Sequence, residues 1–229
     1  MGIGREIDLL KNYPKVKRDP ESRAISKTEE DRNIARMFGK DFFDGDRKHG
    51  YGGFNYNPKY WTPVVPDFVN NFSLKSGSRI LDVGCAKGFM LVDFLKYNPQ
   101  FLVQGIDISE YAIENSHKDV KEFLQVYNAI SLPFEDNAFD LVISINTIHN
   151  LDPENCGKAL KEIERVSNGC SYITVDAYNN QEEKDRMFAW NLTAKTIMSV
   201  EEWKVFFNKN GYTGDFFWFI PWMFFMKKL

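Results

Sequence analysis

The sequence predicts an α/β fold, a single domain whose mostly parallel sheet carries helices on both faces, behind a polar leading segment. Three observations carry this. From Ser78 onward, short apolar runs alternate with stretches of helical spacing. The runs are continuously apolar rather than alternating, as strands buried on both faces are. The first of them ends in a glycine-containing turn that opens directly into a helix.

Taken in order, residues 1 to about 60 are polar, rich in both charge signs and without a sustained apolar period. They read as an N-terminal extension leaning on a domain over 61–229, with a sparse helix from Arg23 to Phe38 marked by Ile25, Ile34 and Met37. RILDVGC (79–85) is the first strand and FMLVDFLKYN (89–98) the helix after it. FLVQGIDIS (101–109) is the second strand, with Ser109 placed to cap a helix through Ile113. FLQVYNA (123–129) and FDLVISINTI (139–148) are the third and fourth. Asp152-Pro153 supplies a cap and a first-turn proline for a helix carrying Leu160, Ile163 and Val166. SYITVDAY (171–178) is the fifth strand, and about 177–198 is a helical insertion on which Trp190, Asn191 and Lys195 are spaced to share a face. A Ser199/Glu202 capping box starts the last helix and Gly211 stops it. The apolar run Phe216–Met226, broken by Pro221, is too short to cross a bilayer core of ~30 Å and reads as a buried terminal strand pair.

Composition narrows the function. A chain of 229 residues with 43% hydrophobic and 27% charged content can bury a sizeable core. A net charge of -3 argues against an electrostatic nucleic-acid binder. Cys85, Cys156 and Cys170 form neither a disulfide framework nor a zinc pattern and fit a reducing cytoplasm. The start lacks an apolar stretch with a cleavage site, so no signal peptide is expected. His49 and His117 have no second ligand at metal spacing, and Asp44-Gly45-Asp46 lacks the other calcium-loop ligands, so no metal is expected beyond magnesium bridged by a substrate.

The first strand-to-helix turn, LDVGCAKGF, decides the ligand class. Gly84 suits a tight turn and Gly88 a close helix start, but the spacing fails the G-x-G-x-x-G of dinucleotide sites. An acidic residue at Asp82 repels phosphate and welcomes a cation. Here the sequence resembles the class I S-adenosylmethionine-dependent methyltransferases, whose first motif is D-x-G-x-G-x-G, with Ala86 replacing one glycine. The resemblance runs from about Ser78 to Tyr212. It implies a Rossmann-like seven-stranded sheet with an antiparallel C-terminal strand, and S-adenosyl-L-methionine as cofactor, leaving as S-adenosyl-L-homocysteine. Asp82, Gly84, Cys85, Ala86 and Gly88 match the cofactor loop. Asp107, with Ile108 beside it, matches the acid that receives both ribose hydroxyls. Asn128 and Ala129 match the adenine-side motif, with Asn128 in place of its usual aspartate. FDLVISINTIHNL (139–151) matches the strand end that faces the transferred methyl, placing Asn146 and His149 there.

His149 is the best candidate base, because imidazole titrates near neutrality; a loop cap or substrate contact that moves no proton is an equal alternative. Substrate-side candidates are Tyr178, Trp190 and Lys195, together with Tyr51, Phe54 and Tyr56 from HGYGGFNYNPKYW (49–61). No strand leads into Gly52-Gly53, which disfavours a phosphate cradle there. In the resembled family this region is often a lid, with Gly50, Gly52 and Gly53 giving hinge freedom and rings including Trp61 giving walls; an apolar clamp is the competing reading. The fourth motif is not the N/D-P-P-Y/F of base-methylating enzymes. Elimination therefore points to a small-molecule acceptor, with no nucleic acid and no membrane, in a monomer or homodimer. NTIHNL, VDAY and WNLTAKT resemble a bacterial branch associated with surface-polysaccharide modification, which implies an oxygen of a sugar or phosphorylated precursor. A small amine as acceptor, a cofactor-binding protein without turnover, and an NAD-dependent oxidoreductase are the alternatives, the last disfavoured by the glycine spacing.

Overall fold

The computed structural model describes residues 2–14 and 27–220. Seven strands form one sheet in the order β3-β2-β1-β4-β5-β6, with β7 also on β5. They are β1 Arg79–Val83, β2 Leu102–Asp107, β3 Leu124–Val126, β4 Leu141–Ile145, β5 Ser171–Tyr178, β6 Met198–Ser199 and β7 Asp215–Phe219. The Rossmann-like doubly wound class is the one expected, and every ladder among the described strands is parallel. Both faces are buried. Ile80, Leu141 and Ile143 enter one core with Phe68, Leu91 and Phe94, while Leu81, Val83 and Val142 enter the other with Leu160, Ile163 and Trp203. That two-sided burial is why the strands read as continuous apolar runs.

The helices begin where local chemistry puts them. Eight are used below: α1 Glu29–Arg36, α2 Lys40–Phe43, α3 Pro58–Trp61, α4 Val65–Asn71, α5 Phe89–Tyr97, α6 Glu110–Glu114, α7 Pro153–Val166 and α8 Gln181–Trp190. A ninth, α9, spans Val200–Lys209. Ser109 accepts from the Ala112 N–H, Asp152 from the Asn155 N–H, and Ser199 and Glu202 form the reciprocal box that opens α9.

Four expectations are corrected. The helix expected over 23–38 starts at Glu29, because Thr28 and Asp31 close a capping box there; residues 23–26 lie outside the described set. The third strand is confined to Leu124–Val126. The antiparallel partner of the terminal strand pair is not among the described residues, since β7 pairs parallel to β5 and 221–229 lie outside them. In the insertion, α8 stops at Trp190, Asn191 is its buried C-cap, and the chain then runs irregularly to β6, so Lys195 shares no helical face with Trp190.

The leading segment is bound to the domain at several places, among them β7 and α5. Glu6 bridges Phe216 in parallel, and the Arg5 guanidinium pairs with Asp215 at 2.6 Å, extending the sheet beyond β7. Farther on, Tyr56 donates its hydroxyl to Asp93 on α5 at 2.6 Å, joined there by Thr62 at 3.0 Å. Among the described residues no helix is long and apolar enough to cross a membrane.

Candidate active site

The strand order reverses between β1 and β4, and in open α/β sheets the ligand crevice lies outside the carboxyl ends at that switch. The two loops there touch. Gly84 has φ +85°, and a Cβ on it would lie 2.2 Å from both Oγ1 and Cγ2 of Thr147, at the end of β4. Only glycine lets the β1 loop pass this close. Gly84→Ala is therefore expected to cost about 2 kcal/mol through its left-handed backbone alone, with more from the clash. A thermal melt checks this, alongside calorimetry for loss of cofactor binding.

The loop after β1 is held to the end of β2. The N–H groups of Gly84 and Cys85 donate to the Ile106 carbonyl at 2.8 and 3.0 Å, and the Ala86 N–H donates to Asp107 Oδ2 at 2.8 Å. Ala86 itself sits at φ +50°, the left-handed region where its family's motif carries glycine. Gly88 at φ +76° begins α5, and a Cβ there would press on Val120 and Leu124.

Two buried carboxylates face this loop. Burial, with the charge of Asp107 second, pushes Asp82 up to about 7. Burial also raises Asp107, against the N–H groups of Ser109, Ala86 and Ile108, which favour its charged form. A pair of buried acids, one of them raised to about 7 by burial and then by the charge of the other, is a site awaiting positive charge. The sulfonium and ammonium groups of S-adenosylmethionine supply such charge. Each Asp107 oxygen accepts a backbone N–H and keeps a further lone pair for a ribose hydroxyl, so the residues present fit this cofactor.

The remaining cofactor-side candidates divide. Ile108 is 54% exposed and lies on the rim. Asn128 is exposed, its Oδ1 accepting from the Ile130 N–H at 3.2 Å, with Ala129 half-buried behind it. Asn146 is exposed at φ +51°, and its Oδ1 accepts from the Thr174 hydroxyl at 2.9 Å. The thiol of Cys85 is buried beside Gly105 and Leu124, and burial raises its pKa well above the ordinary thiol value.

His149 is 3% exposed. Its Nδ1 accepts from the Asp176 N–H at 3.0 Å, and its Nε2 lies 3.8 Å from Asp176 Oδ2. Its carbonyl accepts from the N–H groups of Lys195 and Thr196. Burial lowers the imidazole pKa against the Asp176 charge, while burial raises Asp176 against His149 and an Asn191 hydrogen bond of 2.6 Å. Both shifts disfavour charge, so the ring is neutral, with its proton on Nε2 because Nδ1 is an acceptor. Of the two alternatives, base or contact, this geometry favours the contact, for a buried imidazole whose Nδ1 lone pair is occupied is poorly placed to take a proton from an acceptor at the rim.

On the substrate side, Tyr51 is exposed and its ring centroid lies 4.3 Å from that of Phe54, which stacks on Phe89 at 4.9 Å. Tyr56 is corrected from wall to anchor, since its hydroxyl is committed to Asp93 and Lys96 on α5. Tyr178 donates to Glu202 at 3.3 Å, Trp190 lies under the Lys27 ammonium at 5.2 Å, and Lys195 is exposed. Sequence reasoning missed Lys87. Although it lies inside the quoted loop, its partners are 33 and 43 positions away, and no local pattern announces them.

Fold and site together define a class I nucleoside-cofactor domain with a cation-accepting acid pair. The profile of the methyltransferase domain family matches residues 74–211, and the chain belongs to that family as an S-adenosylmethionine-dependent methyltransferase domain of class I. It is 36% identical over 143 residues to an Arabidopsis thaliana tRNA (carboxymethyluridine(34)-5-O)-methyltransferase, covering 62% of this chain and 33% of that one. It is 32% identical over 155 residues to a demethylmenaquinone methyltransferase of Symbiobacterium thermophilum, covering 63% of this chain and 60% of that one. The YcgJ protein of Bacillus subtilis has the same fold, with a TM-score of 0.52 at 20% identity over 62% of this chain and 65% of that one. The chain thus spans a third of the first of these curated relatives and three fifths of the second. The exclusion of nucleic acid is overturned by these relatives, several of which are named as tRNA methyltransferases. Net charge failed as a guide because it sums over the whole chain, whereas binding depends on where charge is placed.

Proposed function

We propose that the chain transfers the methyl group of S-adenosylmethionine to a carboxylate oxygen of its acceptor. The observation that carries this is the commitment of His149. The titratable ring nearest the β4 end has its acceptor nitrogen bonded to the Asp176 N–H and its other nitrogen turned to the Asp176 carboxylate. A hydroxyl nucleophile calls for a base; a carboxylate arrives with its electron pair free. The cofactor, when bound, brings an activated methyl on a sulfonium. The protein's part is then to align the acceptor for in-line attack and to exclude water.

Lys195 supports the reading as the cation for an anionic acceptor. Its side chain is exposed while its backbone N–H is bonded 3.0 Å from the His149 carbonyl, which ties it to the β4 end. The name of the Arabidopsis relative, an O-methyltransferase of carboxymethyluridine, describes the same acceptor chemistry. The surface-polysaccharide acceptor rests on the resemblance of short phrases alone.

The test uses cofactor carrying a radiolabelled methyl, incubated with total tRNA and, separately, with a low-mass metabolite fraction. The expected product loses its label as volatile methanol in mild alkali, as a methyl ester does. A product whose label survives alkali, an ether or a methylamine, overturns the proposal. The fraction that takes up the label identifies the source of the acceptor.

A further inference from the structure

Lys87 is the fourth residue of the cofactor turn, and its side chain is 7% exposed. A lysine is almost never so buried without partners. Here the ammonium donates to Asp44 Oδ2 at 2.6 Å and to the Phe54 carbonyl at 2.9 Å, both in the leading segment. Asp44 has a second tie. Its Oδ2 also accepts from the Tyr111 hydroxyl at 2.8 Å, while its Oδ1 accepts from the Phe54 N–H at 2.9 Å. Burial alone would raise Asp44, but the hydrogen bonds from Lys87, Phe54 and Tyr111 outweigh it and hold the carboxylate charged.

The placement of these partners matters more than their number. Lys87 lies in the loop after β1, and Tyr111 lies on α6, directly after the loop that follows β2. Ala86 in the first loop is bonded to Asp107 at the end of β2. One carboxylate of the leading segment thus bridges the two walls of the cofactor crevice. The Ser109 hydroxyl adds a bond to the Phe38 carbonyl, and the Phe43, Tyr51 and Phe54 rings close over Tyr111 and Phe89. The backbone of the segment is fastened to itself, with Tyr51 N–H on the Phe42 carbonyl and Gly53 N–H on the Phe43 carbonyl. It therefore docks as a unit.

We propose that Lys87 is a positioning residue: through Asp44 and the Phe54 carbonyl it locks residues 38–54 onto the cofactor loop, so that docking of this segment and binding of S-adenosylmethionine are one coupled event. The cofactor would contact the loop after β1, and the segment holds that same loop through Lys87. Either partner then lowers the ordering cost of the other, and coupling of this kind is reciprocal.

The exposed Arg47 and Lys48 give a protease readout inside the docked segment. Three proteins are compared, wild type, Lys87→Met and Asp44→Asn, by calorimetry with S-adenosylmethionine and by trypsin cleavage after residues 47 and 48 with and without it. In wild type, saturating cofactor is expected to slow that cleavage. In each variant the cofactor Kd is expected to rise by about 5- to 150-fold, the usual range of coupling between sites, and protection by cofactor is expected to vanish. The double variant is expected to be no worse than either single one, because both break the same tie. Asp44→Asn lies outside the cofactor loop and keeps the test decisive if Lys87→Met fails to fold. A purely structural role would lower the melting temperature and leave both Kd and cofactor protection intact. Unchanged Kd in a folded Asp44→Asn, or cleavage in wild type indifferent to cofactor, overturns the proposal.

Discussion

Asp82→Asn is expected to weaken S-adenosylmethionine binding by about two orders of magnitude, the effect of removing one partner of a buried charge pair, and at the same time to stabilise the free protein above neutral pH. The two effects share one cause. Asp82 is buried with Asp107, which raises its pKa to about 7. In an unfolded chain it would titrate near 3.8. Because the folded value lies above the unfolded one, the folded state keeps a proton that the unfolded state releases between those two values. The associated stability is fully present below about pH 4 and is lost as pH rises through about 7. At roughly 1.4 kcal/mol per pH unit, the loss is on the order of 4 kcal/mol by pH 8. A neutral amide of the same shape removes the pH-dependent part. Cofactor binding runs the other way. A cation in the crevice favours ionised Asp82, so wild-type affinity rises from pH 6 to pH 8 and binding near pH 7 releases protons to the buffer. Calorimetry in two buffers of different ionisation enthalpy measures that release directly. Binding that is flat with pH, releases no proton and survives Asp82→Asn would sink the assignment.

What the sequence discloses and what it conceals divide along the distance over which the interactions act. Strands buried on both faces leave a local trace, so β1, β2, β4 and β5 stand out as apolar runs. Caps act over three residues, and Ser109, Asp152 and the Ser199/Glu202 pair read correctly. The acids at Asp82 and Asp107 are legible because each follows its own strand to the carboxyl end. The rest depends on direction or on distant partners. Proximity of His149 to a strand end says nothing about which way its ring turns, and only the β5 backbone, 27 positions away, shows that it turns inward. The stretch from His49 to Trp61 advertises rings and glycines but not what they rest on. Phe54 leans on Phe89, Tyr56 on α5, and the whole segment on Lys87, all through pairings of parts far apart in the chain. Net charge carries no positional information at all, and the exclusion of nucleic acid that leaned on it is what the relatives named as tRNA methyltransferases overturned.

His149→Asn is expected to leave methyl transfer within about threefold of wild type, and its pH profile unchanged, whereas His149→Ala and His149→Phe are expected to unsettle the whole β4–β5 rim; a true general base would instead contribute about 10²- to 10⁴-fold. Asparagine places an oxygen near the position of Nδ1, so the Asp176 N–H keeps an acceptor. Alanine and phenylalanine leave that N–H unpaired in a buried site and remove the nitrogen facing the Asp176 carboxylate, at a cost of about 2–4 kcal/mol. For a chain of this size that is a fall in melting temperature of about 5–15 °C. The consequence for function follows from the connections of Asp176 and His149. The Asp176 carboxylate holds Asn191, which receives the Ala194 N–H at 2.7 Å, and the His149 carbonyl holds Lys195 and Thr196. Loosening the ring therefore loosens the stretch 191–196 that presents Lys195. In the alanine variant KM for the acceptor is expected to rise more than kcat falls, with the cofactor Kd unchanged, because Asp82 and Asp107 sit on β1 and β2, which these bonds do not reach. If His149→Asn and His149→Ala lose kcat alike, and both lose a limb of the pH profile, the imidazole is moving a proton after all, and the carboxylate acceptor falls with that result.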